Sequence, residues 1–152
     1  MCLITEQKKP KIAENDMIVY KVLKASLYTP YQSFRYELGE LYETTIKNST
    51  EWTAFDLKDA EWLNDHYPKW KDGDFCAITE LKCIGQGFHS TLEPERLFNV
   101  AHYEGEIYEC TIPKGSEYYV NATGMCVSNQ IIVNRQMDFR DAIMHARAQM
   151  FH

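Results

Sequence analysis

Apolar residues recur along this chain mostly in alternation or in short β-branched runs, the signature of strands, and only in three places with a helical stripe. "MIVYKVLK" (17–24) is apolar and β-branched and predicts a buried strand. "RYELGELYETTI" (35–46) alternates through Tyr36, Leu38, Leu41, Tyr42, Thr44 and Ile46, with Gly39 marking a bulge or a turn between two short strands. "FCAITELKCI" (75–84) sets Phe75, Ala77, Thr79, Leu81 and Cys83 on one face. "EIYECTIP" (106–113), "EYYV" (117–120) and "MCVSNQIIVN" (125–134) predict three more strands, separated by the turn signals "KGS" and "NATG". "YTPYQSF" (28–34), "KNSTEW" and "YPKWKDGD" read as loops.

The helical stripes are weaker. Leu57, Ala60, Trp62 and Leu63 give a partial one, with Asp56 or Asp59 as cap and Pro68 as stop. "LEPERLFNVAHY" (92–103) carries Pro94 near a first turn, where proline is tolerated. "FRDAIMHARAQMF" (139–151) follows Asp138, a capping residue with Asp141 in support, and aligns Phe139, Ile143, Ala146 and Met150. Strands linked by short turns, with few helices, predict an α+β fold: one domain built on a mostly antiparallel sheet of five to seven strands, with two or three helices. The expected boundaries are a polar N-terminal arm over 1–16, a core over 17–134 and a C-terminal helix over 135–152.

Composition narrows the class. At 152 residues, 45% hydrophobic and 25% charged, the chain matches one soluble globular domain. The formal net charge of −6 disfavours nonspecific nucleic-acid binding, and the lysine-rich "QKKPK" (7–11) reads as a solvated arm. Five cysteines, an odd number without a C-x-x-C pair or a signal-peptide pattern, predict free thiols in a reducing cytoplasm. No apolar run approaches the length of a membrane span.

"KCIGQGFHSTLEPERLF" (82–98) most resembles a site. "GQGFHS" nearly matches the G-x-G-x-x-G dinucleotide fingerprint, but Ser90 replaces the third glycine and Phe88 and His89 would crowd a pyrophosphate. A turn explains more of it. Gly85 and Gly87 permit positive φ at a strand end, Ser90 or Thr91 caps the next helix, and Glu93 completes an S-x-x-E capping box with Ser90. His89 alone stays unexplained. A Ser90–His89 nucleophilic pair is poorly supported, since neighbours on an extended chain point to opposite faces. The cysteines and histidines lack paired zinc-ligand spacing, so no metal is expected. Cys2 would supply an N-terminal nucleophile if Met1 were removed, yet the arm that follows does not suit that chemistry.

The order "VYKVL", then "GFHST", then "EGEIYECTIPKGSEYYV" loosely resembles the ADP-ribosyltransferase-like fold. That resemblance implies an NAD-type ligand held by Tyr20 or Lys21 with His89, Ser90 and Thr91, and a catalytic carboxylate at Glu106 or Glu109. The first-strand Arg or His of the family is here "YK". Taken whole, "MCLITEQKKPKIAENDMIVYKVL", "GFHST", "IPKGSEYYV" and "SNQIIV" look like a family of short uncharacterised proteins of gut Bacteroidales-type bacteria and their phages and mobile elements. This likeness implies an accessory role and no particular reaction.

The resulting expectation leans away from an enzyme. It is a cytoplasmic, acidic α+β domain that binds a protein or small ligand without a cofactor. Homodimerisation through the C-terminal helix stays open, since Met144, Met150 and Phe151 widen its apolar face. The competing expectation is a nucleotide-binding or transferase site at His89, Glu106 and Glu109, with NAD as cofactor.

Overall fold

The computed structural model describes residues 3–5, 7–24, 27, 34–48, 82–97 and 105–150. The expected helix after Asp56 and most of the strand expected over 75–84 lie outside these residues. Eight strands form the main sheet: β2 (Lys11–Ile12), β3 (Met17–Leu23), β4 (Leu41–Glu43), β7 (Phe88–Thr91), β8 (Glu106–Ile112), β9 (Glu117–Val120), β10 (Met125–Ser128) and β11 (Gln130–Met137). Their order is β2-β9-β10-β7-β3-β8-β11-β4, antiparallel throughout. A smaller antiparallel sheet is ordered β1-β6-β5, from β1 (Leu3–Thr5), β6 (Lys82–Gln86) and β5 (Lys47–Asn48). Helix α1 (Phe139–Met150) ends the described chain.

The fold is thus α+β and mostly antiparallel, with more strands than the five to seven expected. The N-terminal arm is one source of the surplus: its residues supply β1 and β2. Gln7 further ties this segment down, its side chain donating to the Tyr118 carbonyl at 3.0 Å and accepting from Val120 N at 3.1 Å. The helix expected over 92–103 is a 3-10 turn over Pro94–Leu97, and residues 98–103 lie outside the described set. No helix among the described residues is long and apolar enough to cross a membrane.

The main sheet is rolled. β10 and β11 stand third and seventh in the order, yet Asn129 alone joins them. Two residues of chain reach at most about 7 Å, whereas four flat strand spacings need about 19 Å. The sheet therefore curls until the β9–β10 end returns to β11. Asn129 N donates to Glu117 O at 3.0 Å, Glu117 N donates to Asn129 Oδ1 at 2.9 Å, and Ser116 Oγ donates to Gln130 Oε1 at 2.9 Å.

Alternation then sorts side chains between the inside and outside of the roll. Inside lie Val19, Leu23, Tyr108, Cys110, Ile112, Cys126, Ile131 and Val133, all buried, joined by Tyr36 from the segment before β4. Outside, Tyr20, Val22, Ile107 and Met137 receive Ala142 and Ala146 of α1. Also outside, Tyr119 and Val127 pack against Leu3 and Ile84 of the small sheet. Asp138 caps α1 by accepting from Arg140 N at 2.9 Å, as its position predicts. The helix seats on Phe139, Ala142 and Ala146, with Ile143 only half-buried, so its packed stripe is rotated from the expected Phe139–Ile143–Ala146–Met150 line.

Candidate functional site

β6 and β7 are one bent strand that passes between the sheets at Gly87. Gly87 has φ of +146°, and a Cβ there would meet Val127 Cγ1 at 2.2 Å, so the bend needs glycine. The anticipated capping box is replaced by a tighter device. Thr91 Oγ1 accepts from Glu93 N at 3.1 Å, while the Glu93 carboxylate pairs with Arg96 at 3.0 Å. Ser90 caps nothing: it lies in β7, 3% exposed.

The pairing of Tyr20 with Thr91 sets the frame for every candidate residue. Tyr20 and Thr91 share the outer face, and Glu109, opposite Tyr20 on β8, joins them. His89 also faces outward, opposite Val127. Lys21 and Ser90, one residue on, face inward; Ser90 stands opposite Cys126 of the inner core. Glu106, at the start of β8, is exposed. The roll therefore divides the candidates between its two faces.

On the outer face, Glu109 is already engaged. Its Oε1 accepts from Asn134 Nδ2 at 3.1 Å, and its Oε2 accepts from Arg135 Nη2 at 3.1 Å. Consecutive residues of a regular strand could not both face Glu109. A register shift between Val133 and Arg135 turns both to one side. Tyr20 Oη and His145 Nδ1 are 2.8 Å apart, and that nitrogen lies 3.9 Å from Glu109 Oε2, fastening α1 to the sheet. Burial, and next the Glu109 charge, push the Tyr20 hydroxyl up to about 12, so it stays protonated and donates.

His89 is not brought to Glu109. The two stand two strands and two residues apart, roughly 12 Å between Cα atoms on ordinary sheet spacings. The His89 ring turns back, Nδ1 donating to Gly87 O at 3.2 Å, and its buried Nε2 has no partner among the described residues. Burial, followed by the nearby Lys21 charge, pushes the imidazole down to about 4, so the ring is neutral.

Inside the roll the chemistry differs. Lys21 is 9% exposed and donates from Nζ to the His89 carbonyl, and its ammonium sits 5.6 Å from the Tyr36 ring centroid. Burial lowers it from 10.5 to about 8. No ion pair joins it to a carboxylate among the described residues. The buried Ser90 Oγ, on the neighbouring strand and same face, has no hydrogen-bond partner among the described residues. Cys110 and Cys126 lie nearby as free, buried thiols, both pushed up to about 12 by burial and so protonated. Phe34, Tyr36, Tyr42 and Phe88 form a cluster of edge-to-face and tilted rings at 4.8–6.4 Å that runs from the 41%-exposed Phe34 to Tyr36, beside Lys21.

Nothing in a one-dimensional pattern says that a lysine will turn inward beside Tyr36 and Cys110, so that juxtaposition was not legible in the sequence. Likewise Asn134 and Arg135 carried no signal, since the bulge that unites them depends on register. No family model, curated protein or solved structure matches the chain.

Proposed function

We propose that this protein acts by binding a small ligand inside its rolled sheet, without catalysing a reaction. The observation that carries the reading is Lys21: a charged amine in an apolar interior, paired among the described residues with a carbonyl and an aromatic face and with no carboxylate. Beside it the Ser90 hydroxyl is buried and unpaired. Such groups cost stability, an unpaired buried hydroxyl alone about 1–3 kcal/mol. A bound molecule that satisfies both would offset that cost. The transferase alternative has less support, because Glu109 is neutralised by Arg135, Glu106 is exposed, and His89 turns to its own backbone.

The accessory, phage or mobile-element role rests on the sequence likeness, and the cytoplasmic setting on the free buried thiols. Thermal-shift screening against monoanions, phosphates, nucleotides and NAD tests the reading. A ligand at 100 times its dissociation constant adds about 2.7 kcal/mol of stability. The expected hits are lost in Lys21→Met. Nicotinamide release on incubation with NAD would instead favour the transferase.

A further inference from the structure

We propose that the ligand is an aromatic or similarly flat apolar monoanion, a carboxylate whose charged end meets Lys21 Nζ and Ser90 Oγ while its body lies among Phe34, Tyr36 and Phe88. This rests on the ligand-binding reading above and specifies its chemistry.

Charge balance selects the head. Among the described residues the interior offers one ammonium and, at Ser90, one buried hydroxyl without a hydrogen-bond partner, against apolar walls from Val19, Leu23 and Ile112. A phosphate monoester carries close to two charges and three strong acceptor oxygens, usually met by several Arg, Lys or backbone N–H donors. Here one negative charge is matched and a second would be buried unpaired. A carboxylate has two oxygens and one charge, which fits an ammonium and one hydroxyl donor.

The aromatic cluster selects the body and the way in. Phe34 reaches solvent; its ring is 4.8 Å from that of Tyr36, which is the ring beside the Lys21 ammonium. Two steps thus join the surface to the buried cation, both along π-surfaces that receive a flat ring edge-to-face. The segment carrying Phe34 and Tyr36 lies outside the eleven strands. It is tied by Tyr36 N to Leu27 O at 3.0 Å and Gly39 N to Val133 O at 2.8 Å. Leu27 has φ of +68°, a conformation that costs a non-glycine residue about 1–2 kcal/mol. The strained residue therefore sits where the aromatic segment is fastened, and parting Phe34 from Tyr36 admits the ligand.

Isothermal titration at pH 7 with cinnamate and its neutral isostere cinnamamide tests this. Wild-type protein is expected to bind the acid at least tenfold more tightly than the amide. In Lys21→Met the ratio falls to about one with amide binding retained, and Ser90→Ala weakens the acid severalfold. At pH 9.5 the wild-type preference shrinks, as Lys21 loses its proton. Circular dichroism and thermal melts confirm that both variants are folded. Equal affinity for acid and amide in the wild type, a preference surviving in Lys21→Met, or no binding of either compound overturns the proposal. Retained binding of inorganic phosphate or a nucleotide in those cases would leave the broader binding reading standing; no hit in any class would remove both.

Discussion

Lys21 donates its ammonium proton to the main-chain carbonyl of His89, although the two side chains leave the rolled sheet on opposite faces. Among the described residues β3 pairs with β7 at Tyr20 and Thr91 alone, so a side chain from β3 meets a carbonyl of β7 beyond that pair. One consequence is electrostatic. The buried positive charge helps to keep the His89 imidazole neutral through the sheet.

The first prediction concerns the cost of that charge. The Lys21 amine titrates near 8 in the folded protein, against 10.5 for the exposed group. Between those values the unfolded chain binds more protons, so wild-type stability rises with pH from 8 to 10.5 and is lower on the acid side. The shift corresponds to about 3 kcal/mol. Lys21→Met keeps the length and removes the charge, while leaving the His89 carbonyl without this donor. Denaturant melts should show the variant more stable at pH 7 by about 1–3 kcal/mol, with the gain gone by pH 10.5. A variant destabilised at both values would show the ammonium to be a structural tie.

His89 gives the acid limb. Its folded value near 4 lies below the ordinary 6.5, so the folded state excludes a proton that the unfolded chain takes up. Stability from this group is complete above pH 6.5, falls through the interval, and is lost by pH 4, up to about 3 kcal/mol in all. His89→Leu removes that dependence. Melts at pH 7 and pH 4.5 should lie closer together in the variant than in wild type. Parallel curves would assign acid sensitivity to other groups.

Period-two alternation made much of this fold legible. β3 and β9 match their expected spans closely, β8 nearly so, and the turn at "NATG" forms with Asn121 Oδ1 accepting from Thr123 N and Met125 N, each at 3.0 Å. What alternation could not supply was register and curvature. "MCVSNQIIVN" reads as one strand, but bending at Asn129 places its halves four positions apart in the sheet, and that bend rolls the interior closed. The same limit applied to the site. His89, Ser90, Lys21 and Glu109 were all visible as candidates, but only the cross-strand pairing shows that Lys21 and Ser90 share the inner face of adjacent strands while His89 and Glu109 stand apart on the outer one.

Gly87 should be the least replaceable of the turn glycines with positive φ. Alanine there meets Val127 Cγ1 at 2.2 Å and the Ser128 carbonyl at 3.3 Å, in a strand that crosses between two sheets. Gly39 and Gly115 also have positive φ, at +82° and +89°, with nothing within 4 Å of an added Cβ. Chemical melts should cost Gly87→Ala about 2–4 kcal/mol, and Gly39→Ala or Gly115→Ala about 1 kcal/mol. Equal losses at the three positions would mean that backbone conformation alone, and not the Val127 contact, governs the bend.

The Tyr20–His145 hydrogen bond is the polar tie between α1 and the sheet, set in an otherwise apolar seat of Val22, Ile107, Met137, Ala142 and Ala146. Because the Tyr20 hydroxyl stays protonated and donates, the imidazole accepts through Nδ1 in its neutral form. A double-mutant cycle of Tyr20→Phe and His145→Ala isolates the pair, with an expected coupling of about 0.5–1.5 kcal/mol at pH 8. In each single variant, amide exchange should accelerate in α1 before it does so in β3 or β8, since the helix loses its polar anchor while the ladders keep theirs. A coupling near zero with unchanged exchange would show that Ala142 and Ala146 hold the helix by packing alone.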